Sequence, residues 1–173
     1  GYVSFTGSSS QLTNQWVHLV AVNNNGVGKF YTNGVLTGEK ASGLAVNLDS
    51  TWKNGAIGGT ALYGSFSGLL DEPSIFASAL TDGGVSVGQT ATGEIATLYN
   101  DGVPGDISDL SPTYWYRNGD DAGDENAAGG TPAAGESAAI LSNLGSFNTG
   151  AAAGNATQGI ATARPTFSSS VPS

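Results

Sequence analysis

Two acidic stretches, one histidine and a set of amides and aromatics are the residues in this chain whose types could do chemistry. Asp71 and Glu72 are adjacent. Paired carboxylates can cleave a glycosidic bond, but the retaining reaction needs the two groups roughly 5 Å apart beside one bond. Neighbours on a strand point to opposite faces, so Asp71 and Glu72 placed in a strand cannot share a substrate. No E-x-D-x-x-E alternation occurs in the chain. The expectation is a protein that is not an enzyme. His18 is the only histidine and there is no cysteine. A Ser-His-Asp set or a metal site built on His18 needs partners that the sequence does not place. A core or rim histidine that finds a hydrogen bond is expected instead.

Asn118, Asp120, Asp121, Asp124, Glu125 and Asn126 crowd into one short stretch with two glycines. Oxygen-rich loops of this kind suit Ca²⁺, and Asp120, Asp121 and Asp124 are the ligands such a site would use. EF-hand spacing is missing, because Ala122 and Gly123 fall where ligands should be. The competing expectation is a solvated acidic loop with no metal and no cofactor. A third group suits sugars. Trp52 and Tyr63 offer faces for pyranose C–H groups, and Asn23, Asn24 and Asn25 offer amides for hydroxyls. The same aromatics would equally serve as core, where large rings dominate the energetics of small β domains. Asn155-Ala156-Thr157 is a glycosylation sequon, meaningful only in a eukaryotic secretory setting.

Composition narrows the partners. Charged residues make up 11% of 173, and the formal net charge is -9. Five Lys and Arg in the whole chain cannot form a phosphate-tracking stripe, so nucleic acid is not expected as a partner. Anionic membranes are disfavoured for the same reason, and no apolar run is long enough to span one. Zero Cys removes disulfides and leaves the compartment open.

The elements that must position these residues begin with Gln15 to Gly38. Trp16, His18, Val20 and Val22 alternate with Val17, Leu19 and Ala21, so a strand buried on both faces is expected. Asn25-Gly26 and Asn33-Gly34 predict type I′ turns, which need positive φ at both central residues. Lys29 to Thr32 lies between them as the middle strand of a meander. Tyr2 to Phe5, Leu44 to Leu48, Ala56 to Gly59 and Thr113 to Tyr116 read as further short strands, and Ala139 to Leu141 as another short element. One short helix is expected near 93–100, with Thr92 as N-cap, Glu94 in the first turn, and Ile95, Leu98 and Tyr99 as its apolar stripe.

Four of these features, in order, carry a resemblance. Trp16-x-His18 with its aromatic strand and Asn33-Gly34 is similar to the centre of laminin-G-like domains. Phe66-Ser-Gly68-Leu-Leu-Asp71-Glu72 fits that family's F-x-G-x-[IL]-D-E strand. Ile75, Phe76 and Leu80 continue it, and Glu94-Ile-Ala-Thr-Leu-Tyr-Asn100 resembles its closing helix. The resemblance implies an all-β, antiparallel β-sandwich of the concanavalin A-like/laminin-G-like jelly-roll type. Pro73 departs from the pattern and puts the Asp71 strand at an edge or bulge. Thr81 to Thr92 is longer than the family's connection and is expected to be an inserted surface loop.

The expected organisation is residues 1–105 as later strands of a jelly roll, its first strands lying before Gly1, then 106–173 as a Gly/Ala/Ser-rich extension with few strands. Ser111 to Asp120, containing Trp115-Tyr-Arg117-x-Gly-Asp120, and the ending Ser170-Val-Pro172 resemble the C-terminal part of marine phage virion proteins. That resemblance implies a virion structural protein, a capsid decoration or fibre, whose partners are other virion proteins, copies of itself and cell-surface glycans. The alternative is a carbohydrate-binding or adhesion module of a secreted bacterial protein.

Overall fold

The computed structural model describes residues 13–43, 59–60, 64–118, 123–126, 128–146 and 156–157. Their regular elements are mostly strands in small antiparallel sheets, with one short α-helix. The strands expected over Tyr2–Phe5 and Leu44–Leu48 lie outside the described residues, as do Trp52, Tyr63, Asp120 and Asp121.

The described chain divides into two units. The first holds the meander β1 (Leu19–Asn24), β2 (Val27–Thr32) and β3 (Val35–Lys40), paired in that order, and the stretch from Ser78 to Leu110. Both turns are as the sequence predicts. Asn25 and Gly26 have φ of 50° and 90°, and Asn33 and Gly34 have 48° and 73°. Such values are costly for most side chains and cheap for Gly and Asn. The β2–β3 register slips between Phe30 and Tyr31. Expected burial on both faces of β1 is not found. Leu19 and Ala21 are exposed, while Val20 and Val22 are half-buried and pack on the core. The face of β1 that carries Leu19 and Ala21 thus lacks the second layer that the alternation predicted.

Tyr31, Leu36, Ala91 and Ile95 form that core, with Leu80 and Val85 against it. Ile95 comes from helix α1 (Gly93–Tyr99), whose Leu98 and Tyr99 are half-buried as the stripe requires. Asn100 in the left-handed region ends the helix, its N–H donating to Ala96 O. Residues 81–92 are mostly exposed, as expected of a surface loop, but they are tied along their length to β3. Leu36 N–H donates to Gln89 O, Gly88 N–H to Leu36 O and Ala91 N–H to Gly34 O, at 2.8–3.0 Å. This strap lies along the outer edge of β3 and delivers Ala91 to the core.

Thr92 has the extended backbone of an N-cap, yet its hydroxyl makes no capping bond. Thr81 does that work from outside the helix. Its Oγ1 accepts from Glu94 N–H (3.3 Å) and its carbonyl from Ile95 N–H (3.0 Å). Glu94 answers by accepting from the N–H and Oγ1 of Thr81 at 2.8 and 2.9 Å. This is the reciprocal logic of a capping box, closed across thirteen positions rather than three.

The second unit pairs β4 (Gly59–Thr60) with β5 (Gly64–Ser65), β6 (Ser74–Ile75) with β7 (Tyr114–Trp115), and β9 (Ala138–Leu141) with both β8 (Glu125–Asn126) and β10 (Ala156–Thr157). Trp115, Tyr116 and Ala138 are its buried apolar residues. Phe66 to Glu72 is not the strand that the resemblance implied. Phe66, Leu69 and Leu70 are exposed, and Glu72 sits at φ 48°, outside any strand. The pairing resumes only at Ser74, after Pro73, which has no N–H to give to a ladder.

Candidate functional site

Among the described residues, Asp82, Glu72 and Asp124 have carboxylates drawn inward, and each is committed to structure. Asp82 sits under the meander. Lys29 Nζ approaches its Oδ2 at 2.6 Å, Tyr31 Oη donates to the same oxygen at 2.7 Å, and Gly84 N–H donates to Oδ1 at 2.9 Å. Burial by itself pushes the Asp82 pKa up. The hydrogen bonds from Lys29, Tyr31 and Gly84, with the Lys29 charge, outweigh it and hold the group at about 2. Burial and Asp82 together push the Tyr31 phenol far up. Tyr31 is therefore a donor at every ordinary pH, and Asp82 an acceptor.

Glu72 is the second. Its Oε2 accepts from the Trp115 indole N–H, and its Oε1 lies 3.0 Å from Arg117 Nε. The Arg117 guanidinium also lies 5.9 Å from the Trp115 ring centroid. Left-handed backbone at Glu72 turns its side chain onto β7, so the carboxylate braces an aromatic strand. The question of which strand faces Asp71 and Glu72 share does not arise, because neither lies in a strand.

Asp124 is the third. It is 2% exposed, and its Oδ1 accepts from Ser142 N–H at 2.7 Å. The solvated acidic loop expected around it is thus corrected at Asp124 and at Asn126. Asn126 is buried and knots its own turn, its Oδ1 accepting from the N–H groups of Ala128 and Gly130. Asp120 and Asp121 lie outside the described residues. Among the described residues, no three His, Cys, Asp or Glu gather to hold a metal.

His18 pairs through its backbone. Its N–H donates to Asn33 Oδ1 at 2.9 Å, and its carbonyl accepts from Asn33 N–H. The ring is not satisfied as expected. Nδ1 is enclosed without a hydrogen-bond partner, and the imidazole packs 5.5 Å from the Tyr99 ring. Burial lowers its pKa, so it is a neutral packing group.

Among the described residues, the tip of the β1–β2 hairpin presents polar side chains to solvent. Asn23 is half-buried and its Oδ1 accepts from Gly26 N–H, which fixes the turn. Asn24 and Asn25 are exposed, and Asn25 Nδ2 donates to Asn24 Oδ1 at 3.2 Å. Register adds two residues that the sequence did not single out. Gly28 pairs with Asn23 on one side and Lys40 on the other, and Glu39 lies opposite Lys29. Amide donors and acceptors, one ammonium and one carboxylate thus share one end of the sheet. Such a set bonds polyols but has no pair of groups placed for proton transfer. Trp52 and Tyr63, the aromatic part of the expected surface, lie outside the described residues.

Residues 1–86 match the laminin-G-like family model described as the concanavalin A-like lectin/glucanases superfamily. That stretch is similar to domains of this type, and the likeness implies a jelly-roll β-sandwich. The match ends before α1 and before the Trp115-Tyr-Arg117 segment, so the resemblance of that segment to phage proteins gains nothing from it. No curated protein and no solved structure matches the chain.

Proposed function

We propose that the protein is a non-enzymatic, glycan-contacting β domain that acts by display. The observation that carries this reading is the fate of the acids. In a domain of the lectin/glucanase type, Glu72, Asp82 and Asp124 are each held by structural donors, while neutral amides occupy the exposed hairpin tip. Contacts through exposed amides are weak singly and gain when copies are linked, because later contacts become intramolecular. The first setting proposed is the surface of a virus particle, as decoration or fibre, with particle proteins and further copies as partners. A secreted adhesion or carbohydrate-binding module is the second, and the lectin-type match over 1–86 favours it.

A glycan array probed with the chain alone and clustered on beads tests the shared part. Expected is binding by the clustered chain, lost in Asn24→Ala/Asn25→Ala or in Trp52→Ala. Hydrolysis of any array sugar would overturn the display reading. Detection of the chain at high copy number in purified virus particles separates the two settings.

A further inference from the structure

The chain contains four Asn-Gly pairs, at Asn25, Asn33, Asn54 and Asn118. In such a pair the glycine nitrogen meets little steric hindrance in attacking the asparagine side chain, because no Cβ crowds the approach. We infer that Asn25 is a built-in site of spontaneous deamidation, and that the fold restrains Asn33, which has the same Asn-Gly-Val context and the same turn type, from the same reaction.

The step balances without a catalyst. Gly26 nitrogen, losing its proton to solvent base, attacks Asn25 Cγ. The side-chain nitrogen leaves as ammonia, and a succinimide closes between the two residues. One water then opens either carbonyl, leaving aspartate or isoaspartate at 25. Redox change is absent, and water is the only co-reactant.

The two turns differ in what holds them. At Asn33, the side-chain oxygen accepts from His18 N–H and the backbone N–H donates to His18 O, both at 2.9 Å. Gly34 is buried, its carbonyl accepts from Ala91 N–H, and a Cβ built on it would meet Tyr99 Cδ1 at 2.6 Å. Cγ cannot rotate into the attack geometry without breaking its bond to His18 N–H, and the Gly34 peptide cannot turn without straining the bond from Ala91 N–H and the contact with Tyr99. Asn25 is exposed, as Asn33 is, but its side chain is tied to its own chain neighbour, Nδ2 donating a hydrogen bond to Asn24 Oδ1 at 3.2 Å. Gly26 N–H donates to Asn23 Oδ1 within the same turn, so opening the tip releases the nucleophile without disturbing the core. Local opening at a hairpin tip costs far less than opening a packed turn. The inference does not depend on glycan binding, although it places a new charge on the surface proposed for it.

The lysines and arginines make the test clean. Trypsin cuts after Lys29, Lys40, Lys53 and Arg117, which puts each of the four pairs on its own peptide. The full chain is incubated at mildly alkaline pH, folded and in urea, and the conversion at each asparagine is followed by fragmentation mass spectrometry. In the folded chain, Asn25 should convert at least about tenfold faster than Asn33, and in urea the two rates should converge. Asn25→Gln should remove the early conversion. Equal rates in the folded chain, Asn33 converting first, or no conversion at Asn25 while the urea sample converts would each overturn the inference.

Discussion

Lys29 Nζ and Asp82 Oδ2 stand 2.6 Å apart, although fifty-three positions separate them in the chain. Lys29 is in the middle strand of the meander and Asp82 begins the strap that runs to α1. Tyr31 donates to the same oxygen from two residues further along β2. The contact is therefore a fastening between the sheet and the segment that carries Ala91 and Ile95 into the core.

Asp82→Asn should destabilise the fold by about 1–3 kcal/mol, since it strips the pairing charge from a partly buried Lys29. Equilibrium urea unfolding measures it. In a double-mutant cycle with Lys29→Met, a coupling of about 1 kcal/mol is expected. Strict additivity would show that the two side chains do not support each other.

Acid should act in two windows. The folded-state pKa of Asp82 is depressed from 3.8 to about 2, so its stabilisation is full above about pH 4 and is lost as pH falls through about 2. The pKa of His18 is lowered from 6.5 by burial, so the unfolded chain takes up that proton first and stability starts to fall below about pH 6.5. Thermal unfolding against pH should show Asp82→Asn flattening only the lower window and His18→Gln only the upper. A single shared window would refute this assignment.

Gly34 carries two demands at once, a φ of 73° and the Tyr99 ring where a Cβ would go. Gly34→Ala should cost on the order of 2–4 kcal/mol, against about 1 kcal/mol for Gly26→Ala, which meets only the backbone demand. Tyr99→Leu in the Gly34→Ala background should recover part of the loss. Equal costs at the two glycines would mean that the ring contact is immaterial.

Thr81→Ala should cost about 1 kcal/mol, the usual effect of losing an N-cap. Thr92→Ala should cost less, because its hydroxyl makes only a 3.5 Å contact to Asp82 O. Far-UV circular dichroism during thermal unfolding ranks the two. The reverse order would return the cap to Thr92.

Glu72→Ala should destabilise the second unit by about 1–3 kcal/mol, since it leaves the Trp115 indole N–H and Arg117 without their acceptor. Glu72→Gln, which keeps an acceptor for the indole, should cost less. Near-ultraviolet circular dichroism, sensitive to the packing of tryptophan, follows both variants. Indifference to either change would show that the carboxylate does not brace β7.

What the sequence determined by itself is whatever is settled within a few residues. Asn25-Gly26 and Asn33-Gly34 set their turns because positive φ is a property of those two side chains and needs no distant partner. The helix at Gly93 to Tyr99 was legible because its stripe repeats at the helical period. The exposed Asn24 and Asn25 were likewise legible as the tip of a hairpin. Tertiary structure decided where the charges went. Nothing near Asp82 in the chain names Lys29 or Tyr31, and nothing near Glu72 names Trp115 or Arg117. These pairings depend on which strands and straps come to lie side by side. The same holds for Thr81, which took the capping role from Thr92 because the packed strap brought it to the first turn of α1. A buried carboxylate must find donors wherever the folded chain supplies them, and its local sequence does not say which these will be.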